Sequence, residues 1–409
     1  MEQKIKVPFS PPDITEEEAD EIRDALLSGW ITTGPRTREF EHCIADFCNT
    51  SGSVCFNSAT AAMEMALRIF GLTSEDEVIV PAYTYTATAS SVIHTGARVK
   101  MVDCRPGSFE MDYDKLQEAI TERTKVIMPV DIGGMVCDYD KVFEAIGKAQ
   151  SRLGFRASSD FQEHFGRVIV LADCAHSFGS SRKFSDEFKK TGEIADFSAF
   201  SFHAVKNITT AEGGALTWRS LGEEMDAFIY QRLKLLSLHG QTKDAFHKLQ
   251  SNGWEYDVVG AYYKANMTDL AAAMGLVQMR RYPEMLKHRA RIKDYYDGRL
   301  KGLDLQLPQH ITDIQRSNVH LYMVRLSGKD EKYRNEVIAR MGEKGVAANV
   351  HFKPLPMMTA YRQLGFSIED FPMAYDFYHN EITLPLYSRM TDEQAEFVMD
   401  CFIDIIRNS

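Results

Sequence analysis

The sequence lacks a basic stripe, a long apolar run and a paired set of cysteines. Its 409 residues carry 47 Lys and Arg against 58 Asp and Glu, a net charge of −11, and no basic cluster stands out. That balance argues against a nucleic-acid-binding surface. No run approaches the about 20 apolar residues of a membrane span, and the first six residues lack the apolar core of a signal peptide. Seven scattered cysteines fit free thiols in a reducing compartment, so a cytoplasmic location is expected. Cys43 and Cys48 have no matching pair elsewhere and read as packing thiols. Asp173-Cys174-Ala175-His176 likewise lacks the second ligand pair that zinc would need. No metal and no internal repeat is expected.

What is present reads as alternating strands and helices followed by a smaller mixed lobe. A Thr15/Glu18 capping box opens the first helix, with Ile22 and Leu26 on one face and Gly29 as its stop. A second helix is expected to turn Phe40, Cys43, Ile44 and Phe47 inward. Short Val/Ile-rich strands are expected at 53–56, 77–81, 98–103, 125–130, 167–173 and 197–202, with 214–218 returning as another. This spacing predicts an α/β fold whose mostly parallel sheet has both faces covered by helices. Residues 151–166 break the rhythm and read as an inserted loop or short helix. After a long helix from about 266 to 300, strands at 320–326, 348–352 and 382–386 join helices at 331–344 and 391–408 in a smaller α+β domain. The expected division is 1–255 for the large domain and 256–409 for the small one, with a soft boundary near 250–265.

In such sheets ligands bind beyond the carboxyl ends of the strands, and the chemically distinctive residues fall there. Lys206 closes the run Ser201-Phe202-His203-Ala204-Val205-Lys206, ahead of the turn Glu212-Gly213-Gly214. Most lysines are surface solubilisers. One in this place is better suited to condense with an aldehyde cofactor, once burial or a neighbouring charge lowers its pKa. Asp173, at a strand end, can pair with a protonated pyridine nitrogen or serve as a helix cap. Asn57-Ser58-Ala59-Thr60 sets the free N–H groups of a helix start just after a strand, which makes a phosphate site or again an ordinary cap. Ser201 can add a hydroxyl. Tyr85 can stack on a cofactor ring, although an aromatic in a first helical turn more often serves the core.

Taken together these residues resemble the DegT/DnrJ/EryC1/StrS family of sugar aminotransferases, which use pyridoxal phosphate on the aspartate-aminotransferase (type I) fold. The resemblance runs nearly end to end. It is carried by Ser28-Gly29-Trp30-Ile31-Thr32-Thr33-Gly34-Pro35, Ala172-Asp173-Cys174-Ala175-His176-Ser177-Phe178-Gly179, the stretch 201–214, Tyr263-Lys264-Ala265-Asn266-Met267-Thr268-Asp269 and Val350-His351-Phe352-Lys353-Pro354-Leu355. It implies that Lys206 holds the cofactor covalently and later shuttles a proton. Asp173 is implied to hold the pyridine nitrogen, Tyr85 to stack on the ring and His176 to lie beside it. Ala59, Thr60 and Ser201 are implied phosphate contacts. Asn266 resembles an asparagine that reaches the phosphate from a neighbouring subunit, which implies a homodimer with shared active sites. Three departures stand out: Ala211 where a glycine is usual, Asp131-Ile132-Gly133-Gly134 in place of His-Leu-Tyr-Gly, and the extra residues 151–166. The last two bear on the substrate pocket.

The reaction implied is transfer of an amino group from an amino acid, glutamate foremost, through pyridoxamine phosphate to a nucleotide-linked keto-sugar. Such products feed surface-polysaccharide or antibiotic-sugar assembly. The rivals are a sugar dehydratase of the same family, which would carry histidine in place of Lys206, and a non-catalytic regulatory homologue. A third is an amino-acid aminotransferase, which would need an arginine such as Arg325 or Arg334 for the α-carboxylate.

Overall fold

The computed structural model describes residues 7–242 and 255–408. The first six residues and part of the expected inter-domain boundary lie outside it. Two helices, α1 (Glu16–Leu27) and α2 (Pro35–Cys48), lead into β1 (Gly52–Phe56), α3 (Ala59–Ile69), β2 (Glu77–Pro81) and α4 (Thr86–Thr95). Then follow β3 (Arg98–Val102), α5 (Tyr113–Ala119), β4 (Thr124–Ile127), α6 (Tyr139–Leu153), α7 (Asp160–Phe165) and β5 (Ile169–Asp173). A hairpin of β6 (Ser181–Phe184) and β7 (Glu187–Lys190) precedes β8 (Phe197–Ser201), β9 (Gly214–Trp218) and α8 (Glu223–Ser237).

Seven of these strands form one sheet in the order β1-β9-β8-β5-β4-β2-β3. From β8 to β3 every pair is parallel, and β9 runs antiparallel to both its neighbours. Strands covered on both faces need apolar residues along their length, and the fully buried β5 meets that need with Ile-Val-Leu-Ala before it ends at Asp173. Its side chains alternate between two cores, as a pleated strand requires. Ile169 and Leu171 join Met63, Leu67 and Phe70 on one face; Val170 and Ala172 join Phe40, Ile44 and Val142 on the other.

The rest of the chain runs through α9 (Asp269–Leu300), β10 (Leu305–Gln306), β11 (Gln315–Arg316), β12 (Tyr322–Leu326), α10 (Glu331–Glu343), α11 (Thr359–Gln363), α12 (Pro372–Tyr378), β13 (Glu381–Leu384) and α13 (Asp392–Arg407). A three-stranded antiparallel sheet, β10-β12-β13, carries a third core with Tyr296, Val324, Val337, Ile382 and Phe402. Helix α9 serves two cores: Ala272 and Leu276 pack under the large sheet, Ile292 and Tyr296 in the third core. Leu355, Tyr361 and Phe377 pack back on the large sheet. Val7 reaches the third core and bridges Val346.

Two expectations need correction. No strand forms at 348–352; pairing there is reduced to a bridge between Asn349 and Thr383. The reason is local: the His351 N–H bonds the Glu381 side chain (2.9 Å) instead of a main-chain carbonyl. The extra segment 151–166 completes α6 and then forms α7. Phe161 stacks on Phe70 (5.5 Å), and Ser159 Oγ donates to the Phe70 carbonyl at the far end of α3, so none of it reaches the cavity described below. On α1 the face shared by Ile22 and Leu26 is only partly covered among the described residues. Leu26 is 55% and Leu27 76% exposed, although Glu18 is bonded as the capping box requires and is also held by Gln278 and Arg281 of α9.

Candidate active site

The carboxyl ends of β1, β2, β5 and β8 open on a cavity of about 360 Å³. Around it the fold gathers Ala59, Thr60, Tyr85, Asp173, His176, Ser201 and Lys206, residues spread over almost 150 positions of sequence but adjacent at one sheet edge. Asn266 does not line it. Its side chain donates to Thr33 Oγ1 (2.6 Å), beside the exposed stretch that contains Leu27 and Ile31.

Lys206 sits in a loop that closes on itself. The Phe202 N–H donates to the Gly213 carbonyl and the Thr210 N–H to the Phe202 carbonyl, both at 2.9 Å. Asn207 pins the loop to the Asn318 carbonyl. Burial lowers the Lys206 ammonium pKa to about 8, against the opposing attraction of Asp173. An amine so placed exchanges a proton close to neutral pH. Ala211, in the same loop, adopts a left-handed φ of 65°. The turn therefore keeps a backbone suited to the usual glycine while carrying a methyl group.

Asp173 is fixed from two sides. Thr88 of α4 donates its hydroxyl (2.7 Å) and the Ala175 N–H donates to the other oxygen (3.2 Å). Burial nevertheless raises its pKa, so a cationic partner facing this carboxylate would be favoured. Thr88 was not foreseen, since a threonine inside a helix gives no signal of what it touches 85 residues later.

The start of α3 supplies the anion site. Ser58 caps the helix by accepting from the Ala61 N–H (3.1 Å). Among the described residues the Ala59 and Thr60 N–H groups have no partner, and both residues line the cavity. Gly214 makes this approach possible, because a Cβ there would lie 2.3 Å from the Ala59 nitrogen. Tyr85 is 59% exposed toward the cavity rather than core, with its ring 5.8 Å from Phe352.

Under His176 lies the departure at 131–134. The Gly133 N–H donates to His176 Nδ1 (3.2 Å), which puts the ring proton of the neutral imidazole on Nε2. Asp131 accepts from Ser177 Oγ (2.8 Å) and the Cys137 N–H (2.9 Å), so it braces the turn behind the cavity. The sequence reading also missed His320, His351 and Phe9, all on the cavity wall. The His320 ring lies 4.4 Å from that of His176, and Phe9 stacks on His351 at 5.4 Å. Arg325 and Arg334 do not line the cavity. Arg325 is committed to Asn380 and Asp376, and Arg334 to the Tyr378 and Glu381 carbonyls.

The model of the DegT/DnrJ/EryC1/StrS aminotransferase family matches residues 12–403. The chain belongs to that family. Members are pyridoxal-phosphate-dependent aminotransferases, and the residues here fit the group: unpaired N–H donors at the start of α3, a carboxylate held at Asp173 and an amine of lowered pKa at Lys206. The spore coat polysaccharide biosynthesis protein SpsC of Bacillus subtilis is 34% identical over 407 residues, with 98% of each chain covered. The UDP-4-amino-4-deoxy-L-arabinose–oxoglutarate aminotransferase of Shewanella sediminis is 30% identical over 414 residues, again with 98% of each covered. Among solved structures, Spr1654 of Streptococcus pneumoniae, a candidate sugar aminotransferase in its pyridoxamine phosphate form, is 48% identical. It superposes with a TM-score of 0.94 over 98% of this chain and 99% of its own. Among the described residues no helix is long and apolar enough to cross a membrane.

Proposed function

We propose that this family member moves an amino group from glutamate to the keto group of a nucleotide-linked sugar, in two half-reactions, for surface-polysaccharide or antibiotic-sugar assembly. The observation that carries the reading is Lys206, an amine of lowered pKa sharing one cavity with Asp173 and the unpaired start of α3. The Shewanella relative, named for a nucleotide-linked amino sugar and oxoglutarate, supports the substrate class.

Pyridoxal phosphate supplies an aldehyde to take up the amino group and an electron-poor ring to spread charge. The Ala59 and Thr60 N–H groups, with the Thr60 and Ser201 hydroxyls, would hold its phosphate. Tyr85 would lie against the ring, His176 beside it, and Asp173 would face the pyridine nitrogen. Lys206 Nζ holds the proton that must leave and return at the reacting carbon, and its lowered pKa suits that exchange. His176, His320 and His351 are all driven toward the neutral form by burial. They line the cavity as uncharged hydrogen-bonding groups, suited to hydroxyls rather than to carboxylates.

A second copy of the chain would complete the site. Asn266 does not line its own cavity and its side chain donates to Thr33, two residues beyond the exposed Ile31, an arrangement that favours a homodimer with Asn266 serving the opposite phosphate.

The test is a spectral titration of the holoenzyme with a panel of nucleotide-linked amino sugars, reading the reaction in reverse. Bleaching of the cofactor's long-wavelength band by one of them would identify the product. Bleaching by plain amino acids alone would overturn the sugar assignment.

A further inference from the structure

Behind the cavity wall lies a three-residue chain of hydrogen bonds that the reaction above does not use. Glu381 and Thr383 stand two residues apart on β13, so their side chains share one face of the strand. Thr383 Oγ1 is 2.5 Å from Glu381 Oε1 and 2.9 Å from His351 Nδ1. The other carboxyl oxygen, Oε2, accepts the His351 main-chain N–H at 2.9 Å, and Tyr83 holds the His351 carbonyl from the opposite side (2.6 Å). His351 is thus clamped with Nδ1 turned to Thr383, which leaves Nε2 as the ring nitrogen open to the cavity that the residue lines.

A hydroxyl between a carboxyl group and an imidazole can point only one way at a time. With Glu381 ionised, Thr383 donates to Oε1 and accepts from Nδ1–H, and Nε2 faces the cavity as an acceptor. With Glu381 protonated, Oε1–H donates to Thr383, Thr383 donates to Nδ1, and Nε2–H faces the cavity as a donor. The two states differ by one proton. A proton arriving at Nε2 displaces the Nδ1 proton onto Thr383 Oγ1, whose own proton passes to Glu381. The ring stays neutral throughout.

We propose that Glu381 and Thr383 are positioning residues which, through this relay, set whether His351 offers the substrate a hydrogen-bond acceptor or a donor. An acceptor at Nε2 can bond a sugar hydroxyl but not a carbonyl oxygen, and only a donor there can bond the carbonyl, so the assignment rests on the reading that the cavity takes a keto-sugar. The surrounding charges make both states accessible. Burial raises the Glu381 carboxyl to about 8, against the nearby Arg334 guanidinium of α10. Burial and the Lys206 charge lower His351 to about 3, so the proton resides on Glu381 and not on the ring. His176 and His320, on other segments of the wall, are themselves held neutral, and Tyr83 keeps its phenolic proton.

The test is a long-range proton–nitrogen NMR titration of the 15N-histidine-labelled holoenzyme from about pH 6 to about pH 10. The His351 signals are identified as those missing in His351→Gln. The wild-type ring should pass from the Nε2–H to the Nδ1–H tautomer as pH rises, without becoming charged. Glu381→Gln, whose amide can donate to Thr383 at every pH, should hold the Nε2–H form throughout, and Thr383→Val should abolish the pH-dependent exchange. A single wild-type tautomer across the range, or an exchange that persists in either variant, overturns the proposal. The wild-type titration alone is decisive if a variant does not fold. It also needs no substrate, so an enzyme inactive on nucleotide-linked sugars would refute the functional reading while the spectra still decide the relay.

Discussion

Replacing Lys206 by Met removes the ammonium group and keeps an unbranched chain of similar reach. In the apoprotein that ammonium is held against its preference: its pKa falls from 10.5 to about 8, chiefly through burial. At about 1.4 kcal/mol per tenfold change in ionisation constant, the charged lysine costs the fold at most about 3.5 kcal/mol. The attraction of Asp173 is already contained in that figure. Water entering the open cavity screens the half-buried group, which brings the expected gain of Lys206→Met to about 2 kcal/mol at pH 7. The sign follows from linkage. A base whose pKa is lowered by folding destabilises the fold fully below the folded pKa and not at all above the unfolded one. The advantage of the variant should therefore shrink to below about 1 kcal/mol by pH 10. Urea unfolding of both apoproteins at the two pH values, with equal slopes, measures this directly. A variant no more stable than the parent at pH 7, or a gain that ignores pH, would refute the claim that a charged amine is being desolvated at this site.

Other substitutions probe the remaining parts. Gly214→Ala should cost about 2 kcal/mol or more and weaken cofactor uptake, because its methyl group would press on the Ala59 nitrogen at the anion site; urea unfolding with a cofactor titration reads both, and unchanged uptake would contradict the assignment. Asp173→Asn should lower turnover by about a hundredfold or more without loss of fold stability, since it removes a buried carboxylate while its Thr88 partner remains; steady-state kinetics and a thermal melt decide it. Ala211→Gly should stabilise by up to about 1 kcal/mol by relieving a left-handed φ of 65°, and a lower melting temperature would show that the methyl group is needed there. Lys206→Ala should abolish transamination in a rapid-quench assay while leaving the folded chain intact.

The alternating Val/Ile-rich strands and intervening helices made the parallel sheet legible before any coordinates, because strands buried on both faces must be apolar along their whole length. Capping boxes marked the first and last helices for a similar reason: both partners lie within four residues of each other. Lys206, Asp173, Ala59, Thr60 and Ser201 were legible as candidates because each follows a strand end, where such folds gather ligands. The strand expected at 348–352 was misread because its composition suits pairing, while its actual partner for the His351 N–H is a side chain thirty residues away.

The sequence by itself determined the fold class, the edge of the sheet at which the candidate residues gather and the residue types among them, since these depend on local pattern and the order of elements. Only the tertiary structure decided that Thr88 orients Asp173, that Gly133 fixes the His176 tautomer and that Glu381 stands behind His351. Each of those is a hydrogen bond between segments brought together by the packing of separate elements. Its energy depends on angles and tenths of an ångström that no spacing along the chain encodes.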